Sequence, residues 1–321
     1  MPSLPAFHTP RSPFRLPHSA LRTPHSALRT CLPPVLFCFL LSVFGFPASA
    51  APAPAPRPLT IVTSFYPIHI TTLNVAGTIP GVRIRRLAPP QTGCLHDYQL
   101  TPGDLKTIAG ADVFVVNGGG MESFLDRALQ TRPGLPVIDA SAGLPLLRDD
   151  RGEPNPHAWL DPRLAARQAV TIGEGLAKLD PAHAAQYRAN AAAYAAQLNA
   201  LYAKMNAQLR GLPRRDIVTF HEAFPYFAAA FGLHIAAVIE REPGSEPSAA
   251  ELVKTIRIIR ASGIHALFAE PQYPPKAAEI IANETGARLY ALDPAVTGPD
   301  TPDAYLQIME ANARTLAEAL R

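Results

Sequence analysis

The chain contains little cysteine. Three cysteines occur in 321 residues, and two of them, Cys31 and Cys38, lie within the first 50 positions. The remaining part, which holds only Cys94, cannot form an internal disulfide. Small folds stapled by disulfides are therefore excluded, and a chain of this length can instead bury a large apolar core.

The chain also lacks an excess of charge of either sign once its N-terminal segment is set aside. The formal net charge is +3, from 29 basic and 26 acidic residues. Four arginines and no acidic residue lie in positions 1–50, which leaves 25 basic against 26 acidic residues, a balance of −1. There is no basic stripe of the kind that binds nucleic acid, so we exclude that class of partner.

The apolar run near the N-terminus, residues 32–46, is too short for a transmembrane helix, which needs about 20 residues. It follows the four arginines and precedes Ala48-Ser49-Ala50, a pattern typical of a secretory signal cleaved after Ala50. We therefore predict a signal peptide over residues 1–50 and a soluble periplasmic protein. Cys31 precedes the run and Cys38 lies inside it, so we expect no lipid anchor.

Proline, in contrast, is abundant, with 35 residues. Alternating proline and alanine predict an extended spacer over residues 51–58. Beyond it, short β-rich runs alternate with helical stretches in two sets, which predicts two Rossmann-like α/β lobes over residues 59–180 and 212–321. The eight predicted strands are 59–63, 82–87, 112–117, 136–139, 216–220, 235–239, 266–269 and 288–292.

Residues 163–211 consist almost entirely of helix formers, interrupted at Asp180-Pro181. Asp180 is a suitable cap and Pro181 a suitable first helical residue, so we predict a helix over 181–211. At about 1.5 Å per residue it would be a rod of about 45 Å. We expect this single long backbone helix to link the lobes; the alternative is two ordinary packed helices within one domain.

His157 lies between two prolines in Pro156-His-Ala-Trp-Leu-Asp-Pro162. We expect an exposed loop histidine whose ring is held in place by Pro156 and Trp159. An imidazole held in this way suits metal binding or proton transfer, and the alternative is a helix cap.

Three further side chains lie in loops that follow predicted strands: His96, His221 and Asp293. Open α/β sheets bind ligands at the carboxyl ends of their strands, so these side chains and His157 can face one cleft between the lobes. Three imidazoles and one carboxylate form a complete tetrahedral set for zinc. Manganese prefers more oxygen ligands, so Zn²⁺ comes first, with Mn²⁺ and Fe²⁺ as alternatives.

From these residues the chain resembles the metal-specific solute-binding receptors of ABC importers, the ZnuA/TroA-like group. The matching motifs are Val62-Thr-Ser-Phe-Tyr-Pro67, His96 with Tyr98 and Thr101-Pro102, Ala111-Asp-Val113, Asn117-Gly-Gly119 with Glu122, Pro156-His-Ala-Trp-Leu-Asp-Pro162, Phe220-His-Glu-Ala-Phe-Pro-Tyr-Phe227, Glu246-Pro-Ser248 and Leu292-Asp293.

The resemblance implies two α/β lobes joined by one long helix, with His96, His157, His221 and Asp293 on the four metal-ligand positions. It also implies the function of such receptors, which capture a divalent metal ion and deliver it to a membrane permease without catalysis. We expect a monomer.

The sequence departs from this family at several points. Many relatives have Asp-Pro before the first histidine, whereas this chain has Cys94-Leu95. Cys94 is then either a spare soft ligand or a small buried residue. The histidine-rich loop of many zinc receptors is also missing, since residues 142–155 are few and contain no histidine. His221 stands where manganese-type relatives often have glutamate, which favours zinc.

The remaining candidates have two interpretations each. Glu270 either supports a ligand or anchors a loop, and the aromatic side chains Tyr66, Tyr98 and Trp159 either line the site or pack in the core. Four other histidines are expected to be structural or solvated: His69, His183, His234 and His265. The competing functions are an exported zinc hydrolase with Glu222 as general base, and a receptor for haem or a cobalamin-type ligand.

Overall fold

The computed structural model describes residues 57–96, 98–149, 152–240 and 247–321. The predicted signal peptide (1–50) and most of the predicted spacer (51–58) lie outside these ranges. Among the residues described, no helix combines the length and the apolar character needed to cross a membrane.

Two parallel sheets of four strands each form the framework. The first sheet has the order β2-β1-β3-β4 and the second has the order β6-β5-β7-β8. The strands are β1 (Leu59–Thr63), β2 (Val82–Arg86), β3 (Val113–Val116), β4 (Val137–Asp139), β5 (Asp216–Thr219), β6 (His234–Val238), β7 (Ala266–Ala269) and β8 (Arg288–Ala291). The predicted fold class, two α/β lobes with parallel sheets, is confirmed.

The strands β3 and β7 show why these runs form the centre of each sheet. All four residues of Val113–Val116 and of Ala266–Ala269 are buried. Strands covered by helices on both faces have continuous apolar sequences rather than alternating ones. The helices are α1 (Tyr66–Ala76), α2 (Pro102–Ala109), α3 (Leu125–Thr131), α4 (Pro162–Leu179), α5 (Ala184–Leu209), α6 (Pro225–Phe231), α7 (Ala249–Ser262), α8 (Lys276–Thr285) and α9 (Ala304–Ala319).

The long helix of the prediction is α5, which has 26 residues and is therefore about 39 Å long. A single 3₁₀ turn, Pro181–His183, precedes it. The side chain of Asp180 does not cap this turn; its carboxylate accepts hydrogen bonds from His183 Nδ1 and the Tyr187 hydroxyl. In sequence, α5 lies between the strands of the first sheet and those of the second, as expected of a linking helix. It also packs along α4, as expected of two packed helices. The lobe boundaries at residues 180 and 211 stay predictions.

The C-terminal helix α9 packs against α5 and α1. One large core cluster accordingly contains residues of both lobes, such as Phe65 of the first and Phe227 and Met309 of the second. A smaller cluster in the second lobe surrounds β5 and β7. Shared apolar packing therefore fixes the position of one sheet relative to the other.

Candidate metal centre

Three polar side chains follow strands of the second sheet. His221 comes two residues after β5, Glu270 directly after β7, and Asp293 two residues after β8. Parallel strands end at the same edge of a sheet, so these three loops lie side by side. One imidazole and two carboxylates therefore lie at the edge of the second sheet that faces the first lobe.

His157 is buried, with 2% of its surface exposed, so the expectation of an exposed loop histidine is wrong. The loop folds inward because Ala158–Leu160 forms a buried 3₁₀ turn directly before α4. His157 makes no capping hydrogen bond at this turn. Both its backbone N and its Nδ1 instead lie 3.0 Å from Asn155 Oδ1.

The orientation of Asn155 fixes the tautomer of His157. Asn155 Nδ2 donates to the carbonyl oxygen of Glu222 at 3.0 Å, so Oδ1 is the atom that faces His157. An acceptor at this position requires a proton on Nδ1 of the imidazole. Nε2 of His157 is then the atom available to a metal ion.

His221 is held in the same way by Glu270. The Glu270 carboxylate accepts hydrogen bonds from His221 Nδ1 and from its backbone N. Both side chains are 1% exposed. A carboxylate on one imidazole nitrogen leaves the other to bind metal, and such partners commonly orient metal-binding histidines. Of the two interpretations of Glu270, support of a ligand and anchoring of a loop, the hydrogen bond to His221 Nδ1 favours the first.

The two imidazoles differ in their protonation. Burial lowers the pKa of His157, and the neighbouring His221 and His96 lower it further. Burial also acts to lower the pKa of His221, but the Glu270 carboxylate and Cys94 outweigh it and raise the pKa. A metal ion that binds His221 Nε2 therefore displaces a proton from it near neutral pH.

His96 and His157 meet at their ε nitrogens. The two Nε2 atoms are 3.3 Å apart, and the ring centroids are separated by 5.2 Å. The loop that carries His96 is tied to the first lobe because Ser123 Oγ donates to the His96 carbonyl oxygen. The predicted ligands His96 and His157 are therefore brought together.

Cys94 lies in the middle of this group. Its Sγ is 3.6 Å from Nε2 of His157 and 3.6 Å from Nε2 of His221. The ligand atoms of these three buried residues all lie within 4.8 Å of one another, a spacing that could hold a metal ion. These potential metal ligands are one sulfur and one nitrogen from the first lobe, Cys94 and His157, and one nitrogen from the second, His221.

Neither His96 nor Asp293 belongs to that set, although His96 Nε2 lies 3.3 Å from the ε nitrogen of His157. Asp293 is held by other partners. Its Oδ1 accepts hydrogen bonds from Gln272 Nε2 and from the backbone N of Ala295, both at 2.8 Å. Burial raises the pKa of Asp293, whereas these hydrogen bonds oppose the rise. Ala295 has a φ of 57°, a left-handed conformation that is strained for a residue other than glycine and is often found near functional sites. The role of Asp293 as a ligand stays a prediction.

Trp159 connects the first lobe to the loop of Asp293. Its ring centroid is 5.1 Å from that of His157, and its Nε1 donates to the Pro294 carbonyl oxygen at 2.8 Å. Tyr66 similarly donates to the carbonyl oxygen of Pro299. Trp159 therefore both packs in the core and lies against an imidazole of the site.

A cleft runs from His96 and His157 towards the surface. Its lining includes the acidic side chains of Asp149, Glu153 and Glu222. Negative charge in a cleft raises the local concentration of cations. The route to the imidazoles therefore suits a positively charged ligand.

The other four histidines in the described part of the chain lie outside the group. His69 Nδ1 pairs with Thr63 Oγ1 at 3.1 Å, and His265 is exposed. The Nδ1 atoms of His183 and His234 lie 2.7 Å from the carboxylates of Asp180 and Asp216, respectively. These placements agree with the structural or solvated roles expected of them.

Sequence reasoning gave too little weight to Asn155, Glu270 and Cys94. A usable signal existed for Asn155, which stands two residues before His157 in the same motif. Glu270 could have been found as the residue that ends β7 beside β5. Cys94 was indicated by its place two residues before His96, but its position between His157 and His221 depends on long-range packing.

Two parallel α/β lobes, a long helix and a cluster of imidazoles together define a bilobal receptor for a metal ion. The chain matches the family described as "Zinc-uptake complex component A periplasmic", ZnuA, over residues 61–319. It therefore belongs to this family.

Individual relatives agree with that assignment. The high-affinity zinc uptake system protein ZnuA of Brucella abortus (strain 2308) is 29% identical over 307 residues, covering 81% of this chain and 91% of the relative. A crystal structure of ZnuA has a TM-score of 0.75 at 32% identity. The match covers 83% of this chain and 100% of the ZnuA chain. The solute-binding protein FpvC of Pseudomonas aeruginosa in complex with Mn²⁺ has a TM-score of 0.75 at 35% identity, covering 82% of this chain and 98% of FpvC.

Proposed function

We propose that this protein is the periplasmic receptor of an ABC importer and that it captures a divalent transition metal, zinc in the first place. The observation that carries the proposal is the meeting of the Cys94 thiol with the ε nitrogens of His157 and His221 at one buried point between the lobes, with His96 Nε2 3.3 Å from that of His157. In two of the three rings, hydrogen bonds to Asn155 and Glu270 turn this nitrogen towards the point. The proposal holds whichever side chain fills the fourth position, which the family pattern assigns to Asp293.

The choice of zinc follows from the type of ligand. Imidazole suits zinc, whereas manganese prefers a larger share of oxygen. His221 contributes nitrogen, and the oxygen-bearing Glu270 is hydrogen bonded to His221 Nδ1. Manganese and iron remain the alternatives, and FpvC, a relative of similar fold, is described in complex with Mn²⁺.

The site suits capture rather than catalysis. A catalytic zinc ion keeps an open coordination position for water or substrate. Here Cys94, His157 and His221 are all buried, and His96 is partly buried, so the ion would be enclosed. We therefore propose a receptor without enzymatic activity, in accordance with the family.

Transfer to the membrane permease requires the enclosed ion to be released. Polar contacts between the lobes surround the site, including the Trp159 bond to Pro294 and the Asn155 bond to Glu222. We propose that docking on the permease separates these contacts and exposes the imidazoles. We further propose that the protein is exported by its N-terminal signal and acts as a monomer.

The test is isothermal titration of metal-free protein with Zn²⁺, followed by competition with Mn²⁺. We expect one ion per chain at submicromolar Kd, with zinc displacing manganese. In His157→Ala the fold should persist and zinc affinity should fall by about 100-fold or more, since even outer partners of a ligand are worth 10- to 100-fold. His265→Ala, which removes an exposed imidazole, is the matched control. Absence of submicromolar binding of zinc, manganese and iron would overturn the proposal.

A further inference from the structure

Cys94 occupies a place that the family pattern does not assign to a ligand. We propose that the Cys94 thiolate binds the same metal ion as His96, His157 and His221 and completes a tetrahedral shell. This inference rests on the proposed function, because it names a further ligand of the same site. It makes the site one of three nitrogens and one sulfur.

The distances between the donor atoms support this shell. A tetrahedral zinc ion with Zn–S of about 2.3 Å and Zn–N of about 2.0–2.1 Å has sulfur–nitrogen edges of about 3.6 Å and nitrogen–nitrogen edges of about 3.3 Å. Cys94 Sγ lies 3.6 Å from Nε2 of both His157 and His221. The ε nitrogens of His96 and His157 are 3.3 Å apart. Three of the six edges thus have the lengths of a zinc tetrahedron. His96 lies outside the set of ligand atoms that are all within 4.8 Å of one another, so the shell closes when its imidazole moves towards the other three ligands.

Both imidazoles point their ε nitrogens at the sulfur, because their δ nitrogens already face Asn155 Oδ1 and Glu270. In the metal-free protein, a proton on His221 Nε2 and the S–H proton together satisfy both contacts of the sulfur. A divalent cation takes the place of these two protons between the same three atoms.

The backbone around Cys94 is built to hold the thiol against the second lobe. The Cys94 backbone N donates to the Tyr273 hydroxyl at 3.3 Å. Gly93 has a φ of +73°, and a Cβ there would lie 2.4 Å from the Tyr273 hydroxyl oxygen. Glycine is therefore required for this approach. Leu95, on the other side of Cys94, is fully buried, so the loop position is fixed from both sides.

Asp293 lies outside the set of ligand atoms that are all within 4.8 Å of one another, and its Oδ1 accepts the hydrogen bonds from Gln272 and Ala295. The thiolate thus takes the fourth position in its place. On binding, the S–H proton passes to the buffer as the S–metal bond forms, so no oxidant or reductant is needed. Thiolate is a soft ligand that suits zinc far better than manganese, so Cys94 sets the preference of the site for zinc.

Cobalt(II) is a direct probe of this ligand. Cobalt bound to thiolate absorbs in the near ultraviolet through sulfur-to-metal charge transfer, whereas a shell of nitrogen and oxygen lacks that band. We expect the band in the wild-type protein loaded with Co²⁺, and we expect Cys94→Ser and Cys94→Ala to lose it while still binding cobalt through the histidines. Asp293→Asn, the variant at the alternative fourth ligand, should keep the band.

Affinities provide the second readout. Cys94→Ser should lower zinc affinity by about 10- to 100-fold or more, the range that applies even to outer partners of metal ligands. Its effect on manganese affinity should be much smaller, so the ratio of zinc to manganese affinity should fall. A cobalt complex of wild-type protein without the band, together with unchanged zinc affinity in Cys94→Ser, would overturn the inference and leave the proposed function intact. Failure of the wild-type protein to bind zinc or cobalt would instead overturn the proposed function.

Discussion

At the scale of single residues, the candidate site depends on side chains that fix the tautomers of two imidazoles. Asn155 and Glu270 each face the δ nitrogen of a histidine, and each is itself nearly buried. A buried imidazole without such a partner could present either nitrogen, or a proton, to the metal. These partners therefore do as much as the ligands to define the centre.

Glu270→Gln tests this positioning role. The substitution keeps the size of the side chain and removes the charge that holds His221 Nδ1, so zinc affinity should fall by about 10- to 100-fold. Isothermal titration measures the change, and circular dichroism checks that the fold persists. Glu279→Gln, at an exposed position of α8, should bind zinc as the wild type does. Equal affinities for the two variants would refute the role given to Glu270.

His69 lies away from the metal centre and makes the free energy of unfolding depend on pH. Burial lowers its pKa from 6.5 to about 4, although Asp300 opposes the shift. Below about pH 6.5 the unfolded chain takes up a proton that folded His69 does not, so the free energy of unfolding decreases as the pH falls from about 6.5 towards 4. Its contribution is fully present above that range.

Replacing His69 by glutamine should make this decrease shallower. Urea unfolding of metal-free protein between pH 7 and pH 4 measures the slope, and His265→Gln, which removes an exposed imidazole, serves as the control. We expect a smaller loss of stability on acidification in His69→Gln than in either the wild type or the control. Identical slopes in all three proteins would show that His69 does not contribute.

At the scale of elements, the eight strands could be predicted because each is a short apolar run with clear boundaries. All eight begin within one residue of the predicted position, and two of them, β1 (Leu59–Thr63) and β7 (Ala266–Ala269), begin and end where predicted. The helix α5 was predicted from its composition. Its N-terminal 3₁₀ turn was missed because the side-chain contacts of Asp180 with His183 and Tyr187 compete with capping.

The contact between α4 and α5 depends on Gly173. A Cβ at this position would lie 2.6 Å from the Ala191 Cβ and 3.2 Å from the Tyr187 carbonyl oxygen. Helix propensity alone predicts that Gly173→Ala stabilises the protein by about 1 kcal/mol. We expect the overpacking to dominate and to lower the free energy of unfolding by about 1–3 kcal/mol.

Urea unfolding of Gly173→Ala decides between these effects. Gly211→Ala is the matched control, because a Cβ there has no atom within 4 Å. A Gly173→Ala variant as stable as the wild type, or more stable, would show that the two helices can move apart without cost.

At the scale of the whole molecule, the site exists only because the two lobes are packed together. His157 belongs to the first lobe and His221 to the second, and Trp159 reaches across to Pro294. Contacts such as that between Tyr305 and the Trp159 carbonyl oxygen join residues 146 positions apart. Local periodicity carries no information about such pairs, which is why the burial of His157 and the place of Cys94 could not be predicted.

Zinc should therefore stabilise the protein as one unit. A ligand at 100 times its Kd that binds only the folded state adds about 2.7 kcal/mol to the free energy of unfolding. We expect a single thermal transition that moves to higher temperature with zinc, and a much smaller shift in His157→Ala. Differential scanning calorimetry of metal-free and zinc-loaded protein measures it. A transition that zinc leaves in place would contradict a site built from both lobes.

We expect one metal ion to be bound by the ε nitrogens of His96, His157 and His221. An anomalous difference map, recorded at the zinc absorption edge from crystals of the zinc-loaded protein, tests it most directly. One strong peak should lie about 2.0–2.1 Å from each of the three ε nitrogens. A map whose peaks all lie away from these three imidazoles would contradict it.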